Sequence, residues 1–211
     1  MLVREANTGD WATPGGYSHM GEDQYDTVVR EAGEETNHAL MVPTQLGLLS
    51  NNPSASPLEP MSYINVVTGG HTHRAYVART NDFLNEEDLK GAVQIMRKAP
   101  AWTSGYRETN GMALVEVSQL IGDGDGAINI TDSNRADNTA AANEKVVPKT
   151  VRATVGYTFS YWRQWAEPQK VGPWQSLPLR RVFRDSLVKH LTDFQWAVKQ
   201  ISDGVVLVRH D

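Results

Sequence analysis

Six acidic residues gathered around a single arginine constrain this chain more than any other feature. Glu22, Asp23 and Asp26 precede Arg30, and Glu31, Glu34 and Glu35 follow it. Val28, Val29, Ala32 and Ala39 supply an apolar stripe, so Glu22 to about His38 reads as a helix. On a helix, spacings of three and four residues put Glu31, Glu34 and Glu35 on one face. Each like-charge pair there costs roughly a few tenths of a kcal/mol even when solvated. A solvated acidic surface helix tolerates that repulsion. A hard divalent cation relieves it, because Mg2+ takes oxygen ligands and keeps several waters. The helix alone leaves both readings open.

What precedes the helix narrows the choice. Trp11-Ala12-Thr13-Pro14-Gly15-Gly16 reads as a strand entering a tight loop. From Gly16 the chain runs five residues to Glu22, then seven to Arg30-Glu31-Ala32-Gly33-Glu34-Glu35-Thr36-Asn37-His38. This closely resembles the signature of the Nudix hydrolase family: Gly, five residues, Glu, seven residues, then Arg-Glu-apolar-any-Glu-Glu-any-Gly-apolar. Six charged or glycine positions match at fixed spacing within 23 residues. Asn37 stands where the signature has Gly, and Asn also visits the left-handed region. Ala32 and His38 are weak versions of the apolar positions, and Gly33 costs on the order of 1 kcal/mol relative to Ala.

The resemblance implies an α/β fold, a Nudix-type α/β/α sandwich with a mixed curved sheet. It implies that Glu31, Glu34 and Glu35 bind Mg2+ or Mn2+, and that Glu22 adds a ligand or acts through water. Arg30 would pair with one of these carboxylates and hold its rotamer. The backbone at Gly15 and Gly16 would approach metal or phosphate, because no Cβ intervenes. The implied reaction is attack of water on a pyrophosphate phosphorus, and Glu108, in Tyr106-Arg107-Glu108-Thr109, is a candidate general base. Pro53 lies fifteen positions after His38 and is followed by a small-residue loop and Glu59. That resembles the ADP-ribose pyrophosphatases of the family, so ADP-ribose or a related nucleotide sugar is the favoured substrate. Nucleoside triphosphates, dinucleotides and capped RNA are the alternatives, as is a Nudix-fold module that binds a nucleotide or protein without turnover.

Composition bounds these readings. The 211 residues include 40% hydrophobic ones, enough for one sizeable core, and we expect a single domain. The formal charge of −5 argues against broad binding to duplex nucleic acid. The chain has no Cys, which excludes a disulfide framework, a thiolate nucleophile and a Cys-based zinc site. No segment reads as a membrane span or export signal, so the expectation is a cytoplasmic protein.

Further elements follow from pattern. Leu2–Glu5 reads as a strand, and Tyr63–Thr68 and Arg74–Arg79 as two strands joined at Gly69-Gly70. Asn85 opens a helix through Lys98, and Met112–Val117 reads as a strand. Residues 122–150 read as an insertion or loop, and their Gly122-Asp123-Gly124-Asp125-Gly126 run lacks the closing Glu of a calcium loop. Val151–Trp165 reads as strand, and Leu179–Gln200 as one long helix. Tyr157, Phe159, Tyr161, Trp162, Trp165 and Trp174 are expected in the core or at a homodimer interface, with base stacking as the other use. His71 and His73 read as part of a turn, and Arg180 and Arg181 as surface charges or phosphate contacts. The C-terminal strand 204–211 is expected to fill the family's first-strand place beside residues 2–5, within one chain or between two.

Overall fold

The computed structural model describes residues 1–37, 61–68, 70–78, 85–98, 107–122, 136–163 and 165–202. The chain is a mixture of α and β structure, divided into two compact units. The first comprises Met1–Leu58, Thr80–Val115 and Arg152–Pro178; the second comprises Glu59–Arg79, Glu116–Val151 and Leu179–Asp211.

In the first unit, β1 (Leu2–Glu5), β2 (Trp11–Ala12), β5 (Thr109–Leu114), β7 (Val155–Thr158) and β8 (Gln169–Val171) form a sheet in the order β2-β1-β5-β7-β8. Every neighbouring pair is antiparallel. The helix α1 (Gln24–Thr36) carries the acidic motif. It stops where Asn37 takes a left-handed conformation at φ 47°, and the Asn37 side-chain amide donates to the Ile95 carbonyl at 2.9 Å. The helix α2 (Glu86–Arg97) shows why its sequence is helical. Asn85 caps it by accepting the Asp88 N–H, three acids fill its first turn, and Arg97 stands in its last. Leu89, Ala92, Val93 and Met96 form one buried stripe, which packs on β5 and β7. With Val3, Met112, Tyr157 and Phe159 they make the core of this unit. Each such large side chain contributes roughly 1.5–3 kcal/mol by leaving water.

In the second unit, β3 (Met61–Thr68) and β4 (His71–Ala78) form a hairpin in which Thr68 faces His71. Gly70, at φ 83°, supplies the positive φ that such a short connection needs. Alternation puts Ile64 and Val66 on the buried face, where they meet Ala197 of α6 (Leu191–Ser202). A second cluster joins Ile121 of α3 (Val117–Ile121), Val147 just after α4 (Ala136–Val146), and Leu187 and Val188 of α5 (Arg181–Lys189) to Leu191. The remaining strands are β6 (Thr150–Arg152) and β9 (Ser176–Pro178).

Three expectations change. A mixed sheet was expected, but the described five-stranded sheet pairs only antiparallel. The helix expected over 179–200 is two helices, broken at His190. Apolar residues at 187, 191, 194 and 198 keep helical spacing across the break, so periodicity conceals it. Within 122–150, residues 136–146 are a helix, in keeping with four alanines at positions 136, 140, 141 and 142. On β1, Val3 and Arg4 pair with β2 on one side, and β5 lies on the other. Residues 204–211, expected beside residues 2–5, lie outside the described residues. Among the described residues, no helix is long and apolar enough to cross a membrane.

Candidate functional site

The site is built by α1 and the loop in front of it. Because α1 is a regular helix, Arg30 stands beside the residue four positions on, and its long side chain also reaches the adjacent Glu31. Its guanidinium Nη1 lies 2.8 Å from Glu31 and 2.9 Å from Glu34. The same side chain turns back to the loop, where Nε donates to Glu22 at 2.9 Å and Nη2 donates to the Tyr17 carbonyl at 2.8 Å. One guanidinium therefore holds three carboxylates and one backbone oxygen. Their negative charge, that of Glu22 first, raises the pKa of Arg30 further.

Glu22 is held from several directions. Besides Arg30 it accepts the His19 N–H at 2.9 Å and lies 3.1 Å from the Thr27 hydroxyl. The Arg30 hydrogen bonds, and then the His19 amide, bring its carboxyl down to about 2. Glu31 moves the other way. Burial raises its pKa, Arg30 opposes this, and the charges of Glu34 and Glu108 add to the rise. Glu108 thus belongs to the electrostatic surroundings of Glu31, although its side chain is exposed in the turn before β5.

The two loop glycines meet two different carboxylates. The Gly15 N–H donates to Glu35 at 3.1 Å. A Cβ on Gly16 would lie 2.2 Å from Glu31 Oε1, inside any permitted contact, so the carboxylate occupies the space that a side chain at 16 would need. Glu31 and Glu35 are both buried. Thr109 at the start of β5 anchors the end of the helix, its hydroxyl donating to the Glu35 carbonyl. That oxygen is among the four that a helix C-terminus leaves without a partner. The Tyr161 hydroxyl in turn donates to the Thr109 carbonyl at 2.6 Å.

The sequence-derived residues Gly15, Gly16, Glu22, Arg30, Glu31, Glu34, Glu35 and Glu108 therefore fall in one neighbourhood. Pro53 lies outside the described residues. Tyr157 and Phe159 are buried as expected, while Trp162, Trp165 and Trp174 are 90%, 83% and 80% exposed and leave the core. His71 and His73 stand on β4 with ring centroids 6.3 Å apart, rather than in a turn. Arg181 is exposed on α5, with Asp185 3.6 Å away. Sequence reasoning missed Thr27, Thr109 and the Tyr17 carbonyl. Thr27 was findable, three residues before Arg30 on the same helix. Thr109 and Tyr17 act through long-range contacts that leave no local pattern.

The donors at this site are carboxylate oxygens, which suit a hard cation, and the absence of a side chain at Gly16 lets the Glu31 carboxylate lie against the loop. Among the described residues, no three His, Asp or Glu side chains form a ready-made metal group. Glu22, Glu31 and Glu34 are instead turned toward Arg30. Both observations hold together if carboxylates change partner on binding a cation: Glu31 and Glu34 each meet Arg30 through one oxygen, whereas Glu22 meets it through both. No family model matches the chain, and no curated protein or solved structure matches it either.

Proposed function

We propose that the protein is a Mg2+- or Mn2+-dependent pyrophosphohydrolase acting on a nucleoside diphosphate linked to another moiety, with ADP-ribose or a related nucleotide sugar as substrate. The observation that carries this reading is the meeting of Gly15 and Gly16 with Glu35 and Glu31, at the spacing that resembles the Nudix signature. Glu31, Glu34 and Glu35 would hold the ion, with Glu22 beside them. When bound, the ion supplies Lewis-acid charge toward the phosphate oxygens and makes water a better nucleophile at neutral pH.

The chain does the rest. Arg30 fixes the rotamers of Glu22, Glu31 and Glu34. Gly15 and Gly16 keep the loop backbone against the carboxylates. Glu108 takes the proton of the attacking water as the oxygen–phosphorus bond forms and the anhydride bond breaks. ADP-ribose would yield AMP and ribose 5-phosphate.

A closed network of three carboxylates on Arg30 also favours a second reading, a module that binds a nucleotide or protein without turnover. Product analysis over ADP-ribose, NADH, dinucleoside polyphosphates and nucleoside triphosphates, with and without Mg2+, separates the two. Mg2+-dependent AMP and ribose 5-phosphate from ADP-ribose support the hydrolase. Absence of any product at every metal concentration overturns it.

A further inference from the structure

The connection between β7 and β8 exposes two tryptophans side by side in sequence logic. The Arg163 N–H donates to the Ser160 carbonyl at 3.1 Å, and the Ala166 N–H donates to the Arg163 carbonyl at 2.9 Å. Trp162 and Trp165 stand three residues apart in this connection. Both rings are almost fully exposed, at 90% and 83%.

The connection is nonetheless held firmly. Arg97 donates to the Ala166 carbonyl and Gln94 donates to Glu167 at 3.3 Å, both from α2. Tyr161 is packed edge-on against Phe159 with centroids 4.8 Å apart. Its hydroxyl reaches Thr109, whose own hydroxyl reaches Glu35. Tyr161, the neighbour of Trp162, is thus linked through Thr109 to the backbone of Glu35, the residue whose carboxylate meets Gly15. Guanidinium groups outnumber carboxylates here: Arg163 lies between the two tryptophans in sequence, Arg97 holds Ala166 and the Arg107 guanidinium lies 5.1 Å from the Tyr161 ring centroid, against Glu167. Trp174, at the opposite end of β8, is not part of this group.

We propose that Trp162 and Trp165 form an open stacking platform for the base of the nucleotide, with Arg163 and Arg107 drawing its phosphates toward the carboxylate site. An exposed aromatic face with guanidinium groups beside it suits a planar, anionic ligand, and stacking is tolerant of base identity. This rests on the hydrolase reading in naming the same substrate, but it concerns binding. The platform accepts purine and pyrimidine nucleotides alike and discriminates against phosphates that lack a base.

The test is titration with AMP in the absence of Mg2+, followed by tryptophan fluorescence and calorimetry, with ribose 5-phosphate and inorganic pyrophosphate as base-free probes. AMP should quench the fluorescence and bind at least about tenfold more tightly than ribose 5-phosphate. Trp162→Ala and Trp165→Ala should each weaken AMP binding by roughly 5- to 100-fold, the equivalent of one lost stack, and Trp162→Phe should restore most of it. AMP affinity unchanged in the Trp162→Ala/Trp165→Ala double variant overturns the proposal. So does equal affinity for ribose 5-phosphate, or ring-dependent binding to anionic lipid vesicles with none to AMP. If the rings govern AMP binding and no diphosphate is cleaved, only the hydrolase reading fails. If ADP-ribose is cleaved with an unaltered KM in the double variant, only the platform fails.

Discussion

Glu86 and Glu31 both sit beside cations in the first unit, yet their surroundings balance charge differently. At Glu86 one carboxylate meets Lys170 at 2.6 Å and accepts the Tyr157 hydroxyl. One anion, one cation and one neutral donor close the account of charge. Around Arg30, three carboxylates share one guanidinium, and Glu31 is buried as well. With all three ionised, that group keeps two negative charges in excess. The Glu86 arrangement is balanced as it stands, whereas the Arg30 arrangement keeps the excess negative charge that the proposed cation would offset. This difference separates a structural ion pair from a candidate binding site more clearly than either burial or acidic content does.

The sharpest way to break the comparison is to neutralise a member of each group. Glu34→Gln or Glu35→Gln should lower the rate of ADP-ribose hydrolysis by more than about 100-fold, with the thermal midpoint within roughly 3 °C of wild type. Glu86→Gln should leave hydrolysis within about twofold. Equal losses from both substitutions, in the same kinetic assay, would erase the distinction. Next in size is Arg30→Met, which leaves three carboxylates facing one another. Urea denaturation should show a loss of about 2 kcal/mol, below the range for a fully buried broken pair because these side chains keep some solvent contact. Mg2+ should restore part of that stability in Arg30→Met.

Gly16→Ala comes third. Its new methyl displaces the Glu31 carboxylate, and hydrolysis should fall by about tenfold with little change in thermal midpoint.

The smallest effects lie in the pH dependence of stability, and they separate the two groups by direction. Glu22 is depressed from 4.5 to about 2, so its contribution is present above 4.5 and is lost as pH falls toward 2. Tyr157 is pushed from 10.0 up to about 12, first by its hydrogen bond to Glu86. Its contribution is present below pH 10 and is lost as pH rises toward 12. In denaturation curves across pH, Glu22→Gln should flatten the acid limb and Tyr157→Phe the alkaline one. Glu86 is also lowered, by Lys170 first, so some acid dependence survives in Glu22→Gln.

Much of the candidate site was legible because it is local. Gly15 through Asn37 is one continuous loop and helix, and the helical repeat brings Arg30 to Glu34. Asn37 ends the helix in the left-handed region, in keeping with its place in the signature. The cap at Asn85 and the stripe from Leu89 to Met96 made α2 readable as well. What escaped depends on contacts between distant residues. The break at His190 is one such case, where the imidazole accepts the Val67 N–H at 3.2 Å across the hairpin. Exposure of the tryptophans is another, because a strand-like alternation through Tyr157, Phe159 and Tyr161 gives no notice that turns follow.

Thr109 has a consequence for assembly. Its backbone is paired opposite Glu5, its carbonyl serves Tyr161, and its hydroxyl serves the final turn of α1. A one-residue slip between β1 and β5 would turn that hydroxyl to the opposite face of the sheet. The helix end would then lose that donor. Thr109 therefore ties the register of this strand pair to the seating of the acidic helix.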